Sequence, residues 1–245
     1  MSKFEFPTIS DTVMSFMATQ KQMFEGDSHM MPAGNHKEHD LDPDYWNILL
    51  GPVKSDPDTY GSGTALDFGC GCGRNIRNLL SLARFSRVDG CDISTSNAAY
   101  AGKYINNLFP YRQEPHRTKT WETNGWDLGP VEDESYNFIM SHVVFQHIGN
   151  HQVRLNLLTE MFRALKPNGI VSLHFMDLAD SVPYYYNSPD GTQNCRVENP
   201  EFLLRELEAI GYYSPVVVSR IDMYSGCRSY FVQGGKKIES LGEEE

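Results

Sequence analysis

Leu66-Asp67-Phe68-Gly69-Cys70-Gly71-Cys72-Gly73-Arg74-Asn75 is the stretch whose reading decides the fold. It closes a short apolar run, Thr64–Phe68, that predicts a buried strand, and it opens a helical pattern from Asn75 to Ala83. Glycines at such a strand-to-helix turn let the backbone bend tightly and approach a ligand. In open α/β sheets that ligand sits beyond the carboxyl ends of the strands. Two phosphate-binding patterns can be tested here. Counted from Gly69, the third glycine of G-x-G-x-x-G falls on Arg74; counted from Gly71, it falls on Ile76. The dinucleotide fingerprint fails in both registers, and no G-x-x-x-x-G-K-[ST] is present.

Outward from this loop the pattern repeats. Arg87–Asp92 predicts a second strand, and a helix runs from near Ser94 to about Leu108. A weaker third strand lies near Thr118–Glu122 and a fourth over Tyr136–His142. Asn150 is placed to cap a helix over Val153–Leu165, which the Pro167-Asn168-Gly169 turn ends before a fifth strand, Ile170–Phe175. A last helix, Pro200–Ile210, stops at Gly211. The runs Pro215–Met223 and Arg228–Gln233 follow, too close together for a crossover helix, so they form an antiparallel hairpin. Strands alternating with helices predict an α/β fold: a doubly wound, Rossmann-like, mostly parallel seven-stranded sheet with a C-terminal antiparallel hairpin strand.

Before the loop, Val13, Phe16, Met17, Met23 and Phe24 have helical spacing behind a Ser10 cap, and Tyr45–Leu50 reads as a short helix. Between them, residues 25–44 are polar and carry His29, His36 and His39, whose spacing matches no standard zinc pattern; a segment that closes over substrate is the preferred reading. The chain divides into a helical lid or extension at residues 1–50, the α/β domain at 51–238 and an acidic tail at 239–245.

Length and composition agree. The 245 residues, 40% hydrophobic and 12% aromatic, suffice for a full core, and a net charge of −11 opposes nucleic acid and anionic membranes. No apolar run reaches the length of a membrane span, and Met1-Ser2-Lys3-Phe4-Glu5-Phe6-Pro7 lacks the apolar core of a secretory signal. Five unevenly placed cysteines suit a reduced, cytoplasmic protein. Cys70, Cys72 and Cys91 read as small loop fillers, and no metal site is expected.

Asp67 narrows the ligand. A carboxylate beside the loop repels a diphosphate but suits a cationic ammonium or sulfonium. Asp92 ends the second strand, where an acid accepts hydrogen bonds from ribose hydroxyls. A ligand with a ribose, a positive charge and no diphosphate is implied, and S-adenosylmethionine fits.

On these residues the sequence resembles the class I S-adenosylmethionine-dependent methyltransferases of small-molecule type, over roughly residues 45 to 235. Asp67-Phe68-Gly69-Cys70-Gly71-Cys72-Gly73 matches the acid-x-G-x-G-x-G motif, with Arg74 next, and Cys91-Asp92-Ile93-Ser94 matches the ribose-binding acid. Asn124-Gly125-Trp126-Asp127-Leu128 falls where the family holds adenine. Ser141-His142-Val143-Val144-Phe145-Gln146-His147-Ile148 matches the segment bordering the methyl group, and Leu165-Lys166-Pro167-Asn168-Gly169 matches the turn into strand five. The resemblance implies cofactor contacts from Asp67, Gly69, Cys70, Gly71, Gly73, Arg74, Asp92, Ile93, Asn124, Gly125, Trp126 and Ser141.

Methyl transfer is a displacement in which positioning does most of the work; a base is needed only when the nucleophile must lose a proton. His147 and His142, both in the segment after strand four, are the expected bases, with His174 as a third candidate. Tyr45 and Trp46 stack on the cofactor or pack on the sheet. The long loop 177–199, with Tyr184, Tyr185 and Tyr186, suits a ring-bearing acceptor. The expected function is transfer of a methyl group to an oxygen or nitrogen of a small molecule such as a sugar. A protein or peptide methyltransferase and a non-catalytic cofactor-binding regulator are the alternatives, and a nicotinamide oxidoreductase is the weakest.

Overall fold

The computed structural model describes residues 9–25, 43–82, 84–177, 195–197, 199–221 and 227–237. Seven strands, β1 (Thr64–Phe68), β2 (Arg87–Asp92), β3 (Thr120–Glu122), β4 (Tyr136–Ser141), β5 (Leu165–Asp177), β6 (Tyr213–Ile221) and β7 (Arg228–Gly235), form one sheet in the order β3-β2-β1-β4-β5-β7-β6. β7 alone runs against its neighbours β5 and β6. The helices are α1 (Asp11–Phe24), α2 (Pro43–Leu49), α3 (Gly51–Ser55), α4 (Arg74–Leu82), α5 (Thr95–Leu108), α6 (His151–Ala164) and α7 (Glu201–Ile210). The strand order turns back between β1 and β4. A crevice at the carboxyl ends is therefore expected at that switch point.

Side chains alternate across the sheet because the strand period is two. Ala65, Phe138, Met140 and Phe231 join Ile76, Leu79 and Phe85 on one face, while Leu66, Ile139 and Leu173 join Leu157, Leu158 and Leu203 on the other. Both faces of β1 and β2 are covered, so these strands are buried along almost their whole length, Asp67 and Asp89 included. Each such side chain, fully buried, stabilises the fold by about 1.5–3 kcal/mol. Residues before 51 take part: Trp46, Leu49 and Leu50 sit in one core, Val13 and Phe16 in the other, and Gln233 Nε2 donates to the Ile48 carbonyl at 2.8 Å. No packing boundary falls at residue 50.

Local signals set the helix starts. Ser10 Oγ accepts from Val13 N–H at 3.3 Å, Ser94 Oγ from Asn97 N–H at 3.2 Å and Asn150 Oδ1 from Val153 N–H at 3.2 Å. Three expectations shift. Met23 is exposed, so the buried stripe of α1 is Val13, Phe16 and Gln20. α6 ends at Ala164, and Leu165 is already extended opposite Tyr136. The Pro167-Asn168-Gly169 turn belongs to β5, because Asn168 N–H donates to Lys236 O and Lys236 N–H returns to Gly169 O, each at 2.8 Å. The His29, His36 and His39 segment, the Tyr184–Tyr186 run, the side chain of Tyr45 and the tail 239–245 lie outside the described residues.

Candidate functional site

A cleft of about 880 Å³, including its open mouth, lies at the carboxyl ends of β1, β2 and β4. Its floor is Phe68, Gly69 and Gly71 after β1, and Asp92 and Ile93 after β2. Thr123 and Gly125 after β3 form one wall and Val143, Val144 and His147 after β4 the other. α1 lays Phe16, Met17, Gln20 and Phe24 across the top, and Asn97, Ile148, Val153 and Leu157 complete the lining. The size and the mostly apolar lining with a few polar groups are those of a small-molecule site.

The glycine loop is built from the strand outward. Gly69 N–H and Cys70 N–H both donate to the Cys91 carbonyl, at 2.8 and 3.0 Å, tying β1 to the end of β2. Gly69 sits at φ +72°, and a Cβ there would lie 2.3 Å from Val144 Cγ2, so the loop after β4 presses onto it. Gly71, at φ +49°, has nothing within 4 Å of where its Cβ would be. It leaves open a cradle that any side chain would occupy. Gly73 instead packs on α5, where a Cβ would meet Ala101 and Ile105 at 3.2 Å. Cys70 fills the space beside Gly90, and burial pushes its thiol well above the usual range.

Two acids lie under this loop. Asp92 accepts from Ser94 N–H at 2.9 Å through Oδ1 and from Gly71 N–H at 2.8 Å through Oδ2. Burial raises its carboxyl, and those amides pull it back. Asn97 also hydrogen-bonds this carboxylate, which still has acceptor capacity left for a ribose hydroxyl. Asp67 is fully buried one residue below Phe68, and burial lifts its pKa to about 7; Arg74 and Asn75 counter this in part, while Asp92 adds to it. Neither Asp67 oxygen completes a hydrogen bond of good geometry among the described residues. A buried acid short of donors beside an open glycine cradle fits a ligand that brings a cation and hydroxyls.

The three histidines separate. His147 lines the cleft from a single 3₁₀ turn, Phe145–His147, with its ring edge-on to Phe24 at 5.7 Å. His142, expected as a base, does not line the cleft. β4 ends at Ser141, and the next side chain turns away from the cleft toward Trp46, its Nδ1 receiving a hydrogen bond from Arg74 Nη2 at 3.0 Å. His174 is fully buried, between Val143 N–H at 3.2 Å on Nδ1 and Ser229 Oγ at 3.1 Å on Nε2. Trp46 packs in the sheet core and does not line the cleft.

Several other expected contacts are structural in this geometry. Arg74 also reaches Asn75 Oδ1 at 3.3 Å and does not line the cleft. Ser141 Oγ donates to Phe68 O at 3.1 Å. Asn124 Oδ1 accepts from Trp126 N–H at 2.8 Å and Asp127 N–H at 3.1 Å, so its side chain shapes the turn after β3. Trp126 is buried in the core, and its carbonyl accepts from Asn156 Nδ2 at 2.7 Å. Thr123 and Gly125, rather than Asn124 and Trp126, border the cleft.

The sequence reading expected a helical lid within residues 1–50 but did not mark Gln20 of α1 as a residue lining the cleft. Glu25 at its end takes the amides of Thr95 at 2.8 Å and Ser96 at 3.0 Å, capping α5 from outside, and Lys21 pairs with Glu122. A hydrogen bond from the Ser96 side chain, helped by these amides, holds the Glu25 carboxyl below its usual range. The signal that could have found this is Gln20, a polar residue on an otherwise apolar stripe.

Comparison with known proteins agrees with the geometry. Residues 66–173 match the family model described as a methyltransferase domain. The chain is 29% identical over 119 residues to the N-terminal Xaa-Pro-Lys N-methyltransferase 1 of Rattus norvegicus, a match spanning 49% of this chain and 50% of that protein. Among solved structures it resembles phosphoethanolamine N-methyltransferase 2 of Haemonchus contortus bound to S-adenosyl-L-methionine. There the TM-score is 0.59 at 17% identity, over 93% of this chain and 57% of that one. It also resembles the geranyl diphosphate C-methyltransferase of Streptomyces coelicolor A3(2), with a TM-score of 0.59 at 13% identity over 90% and 97% of the two chains. The chain thus spans little more than half the length of the first two of these proteins, and the structural likenesses speak for the fold. Domain match, strand order and an acid-flanked glycine loop converge: the chain carries a methyltransferase domain over residues 66–173, in a fold like that of the class I, S-adenosylmethionine-dependent methyltransferases.

Proposed function

We propose that this protein methylates an oxygen or nitrogen of a small-molecule acceptor, with the cleft beneath α1 as the shared site of cofactor and acceptor. The observation that carries this reading is the roof: Phe16, Met17, Gln20 and Phe24 cover the cleft, which suits a small enclosed acceptor better than a polypeptide.

In this reading Asp92 accepts from the ribose hydroxyls, and Gly71 leaves room for the backbone of the loop to approach them. Asp67 supplies negative charge to the cationic end. Ile93, Met17, Thr123 and Gly125 enclose the adenine, a flat apolar slot with a polar edge. When bound, the cofactor supplies a sulfonium methyl group open to attack by a lone pair. Phe68, Val143 and Val144 wall that end of the cleft and exclude water. His147 takes the proton of a hydroxyl acceptor at a ring nitrogen; a neutral amine acceptor needs no such help.

The relationship to an N-terminal peptide methyltransferase and the charge of −11 favour a second reading, a basic peptide acceptor. One experiment separates them. Purified protein is given cofactor labelled in its methyl group, first with fractionated metabolite extracts and then with a library of basic peptides. Label in a metabolite supports the proposal, and label only in peptides replaces it with the second reading. Cofactor binding with no S-adenosylhomocysteine released in either arm points to a regulatory protein.

A further inference from the structure

The segment after β4 contains an unusual residue. Val143 lies at φ +61°, the left-handed region that a β-branched side chain strongly disfavours, and it lines the cleft. The neighbouring Val144 rests on Gly69, and the His147 amide closes the turn onto the Val144 carbonyl at 2.9 Å. Three cleft residues therefore depend on one strained backbone step.

What holds that step lies outside the cleft. The Val143 amide donates to His174 Nδ1 at 3.2 Å, and His174 Nε2 meets Ser229 Oγ at 3.1 Å. His174 on β5 and Ser229 on β7 are both fully buried, and they face each other across the β5–β7 pairing. An amide can only donate, so Nδ1 must carry its lone pair, and the ring proton must sit on Nε2, facing the hydroxyl. The Val143 amide thus fixes the tautomer, and the Ser229 hydroxyl, able to accept, satisfies the Nε2 proton. The other tautomer, or the cation, would set two N–H groups against each other.

We propose that His174, oriented by Ser229, is a positioning residue for methyl transfer: it holds Val143 in its left-handed turn and so sets the wall that Val143, Val144 and His147 present to the cofactor. The proposal rests on the reading of the cleft as the cofactor site.

The test uses the full chain with S-adenosylhomocysteine as probe. Three variants are compared: His174→Phe, which keeps a buried ring without an acceptor; His174→Asn, whose side-chain oxygen can stand near the position of Nδ1; and Ser229→Ala. Imidazole nitrogen shifts report the tautomer, hydrogen exchange reports the Val143 amide, and calorimetry reports affinity. Wild type should show the Nε2–H form and a protected Val143 amide. His174→Phe should lose the protection and bind the probe about tenfold or more weakly, the scale of a buried donor left unpaired. His174→Asn should restore both in large part, and Ser229→Ala should keep the Nε2–H form but leave that N–H unpaired and lower the protection of the Val143 amide. An Nδ1–H form in wild type would overturn the proposal, as would His174→Phe binding the probe within about twofold of wild type. Should His174→Phe fail to fold, the wild-type tautomer and the other two variants still decide. A wild-type protein that does not bind the probe would overturn the cofactor reading, and the role in methyl transfer with it, while tautomer and exchange judge the contact separately.

Discussion

Replacing Asp67 with Asn should stabilise the cofactor-free protein while weakening its grip on the cofactor. Burial lifts this carboxyl from an ordinary 3.8 to about 7, and neither oxygen completes a good hydrogen bond among the described residues. A shift of about three units corresponds to about 4 kcal/mol, an upper bound on what the ionised group costs the folded state. The sign follows from proton counting. Below about pH 4 the group is protonated in both states and the cost is absent. Between about 4 and 7 the unfolded chain loses the proton and the folded chain keeps it, so stability falls as pH rises. Above about pH 7 the loss is complete. Asn removes the charge but leaves a buried amide short of partners, which costs about 1–3 kcal/mol, so the net gain at pH 8 should be about 1–3 kcal/mol. Urea unfolding of both proteins at pH 5.5 and pH 8 checks this, and the difference between them should grow by about 2 kcal/mol across that interval. The cofactor arm has the opposite sign. Near pH 6 a cation arriving beside Asp67 should drive off up to one proton, seen by calorimetry in buffers of different ionisation enthalpy. Asp67→Asn should release none and bind at least about tenfold more weakly. A stability difference that does not change with pH, or equal proton release by both proteins, would refute the reasoning.

Asp92→Ala should weaken cofactor binding about tenfold or more, since hydrogen bonds to a charged group contribute ~1.5–3 kcal/mol; an unchanged dissociation constant in a folded variant would remove Asp92 from the site. The two loop glycines should respond differently to alanine. Gly69→Ala, with a Cβ 2.3 Å from Val144 Cγ2, should lower the melting temperature sharply, whereas Gly71→Ala, facing open space, should fold and lose cofactor affinity as its methyl enters the cradle. His147→Ala should lower turnover by ~10²–10⁴ on a hydroxyl acceptor with little change in cofactor affinity, and should remove the rise of activity with pH; full activity on such an acceptor would end the proposal. Glu25→Gln weakens the external cap on α5, so cofactor should dissociate faster from it than from wild type in stopped flow. Equal rates would mean that α1 stays docked without that contact.

Much of the fold was legible because it is written in short-range terms. The strand-glycine-helix succession at Thr64–Asn75, the Ser10, Ser94 and Asn150 caps and the Gly211 stop each act within a few residues, and period-two burial follows from the pleat. The antiparallel final hairpin followed from loop length alone. The failure of the dinucleotide fingerprint followed from glycine spacing, and Asp67 and Asp92 then implied a ligand with a ribose and a positive charge.

Where side chains point was decided by packing between distant segments. His142 and His147 are five residues apart in one motif, yet β4 ends at Ser141 and the left-handed Val143 turns the chain, so one ring goes to Arg74 and the other to the cleft. Asn124 looked like an adenine contact until its carboxamide was seen closing its own turn. α1 was readable as an amphipathic helix, but its seat over the cleft depends on Glu25 meeting amides some 70 positions away. The sequence by itself determined the class of fold and the kind of ligand, because helix caps, strand periodicity and a glycine turn are local. Which residues line the cleft was decided only by tertiary structure, because side-chain direction depends on contacts between segments that no local pattern encodes.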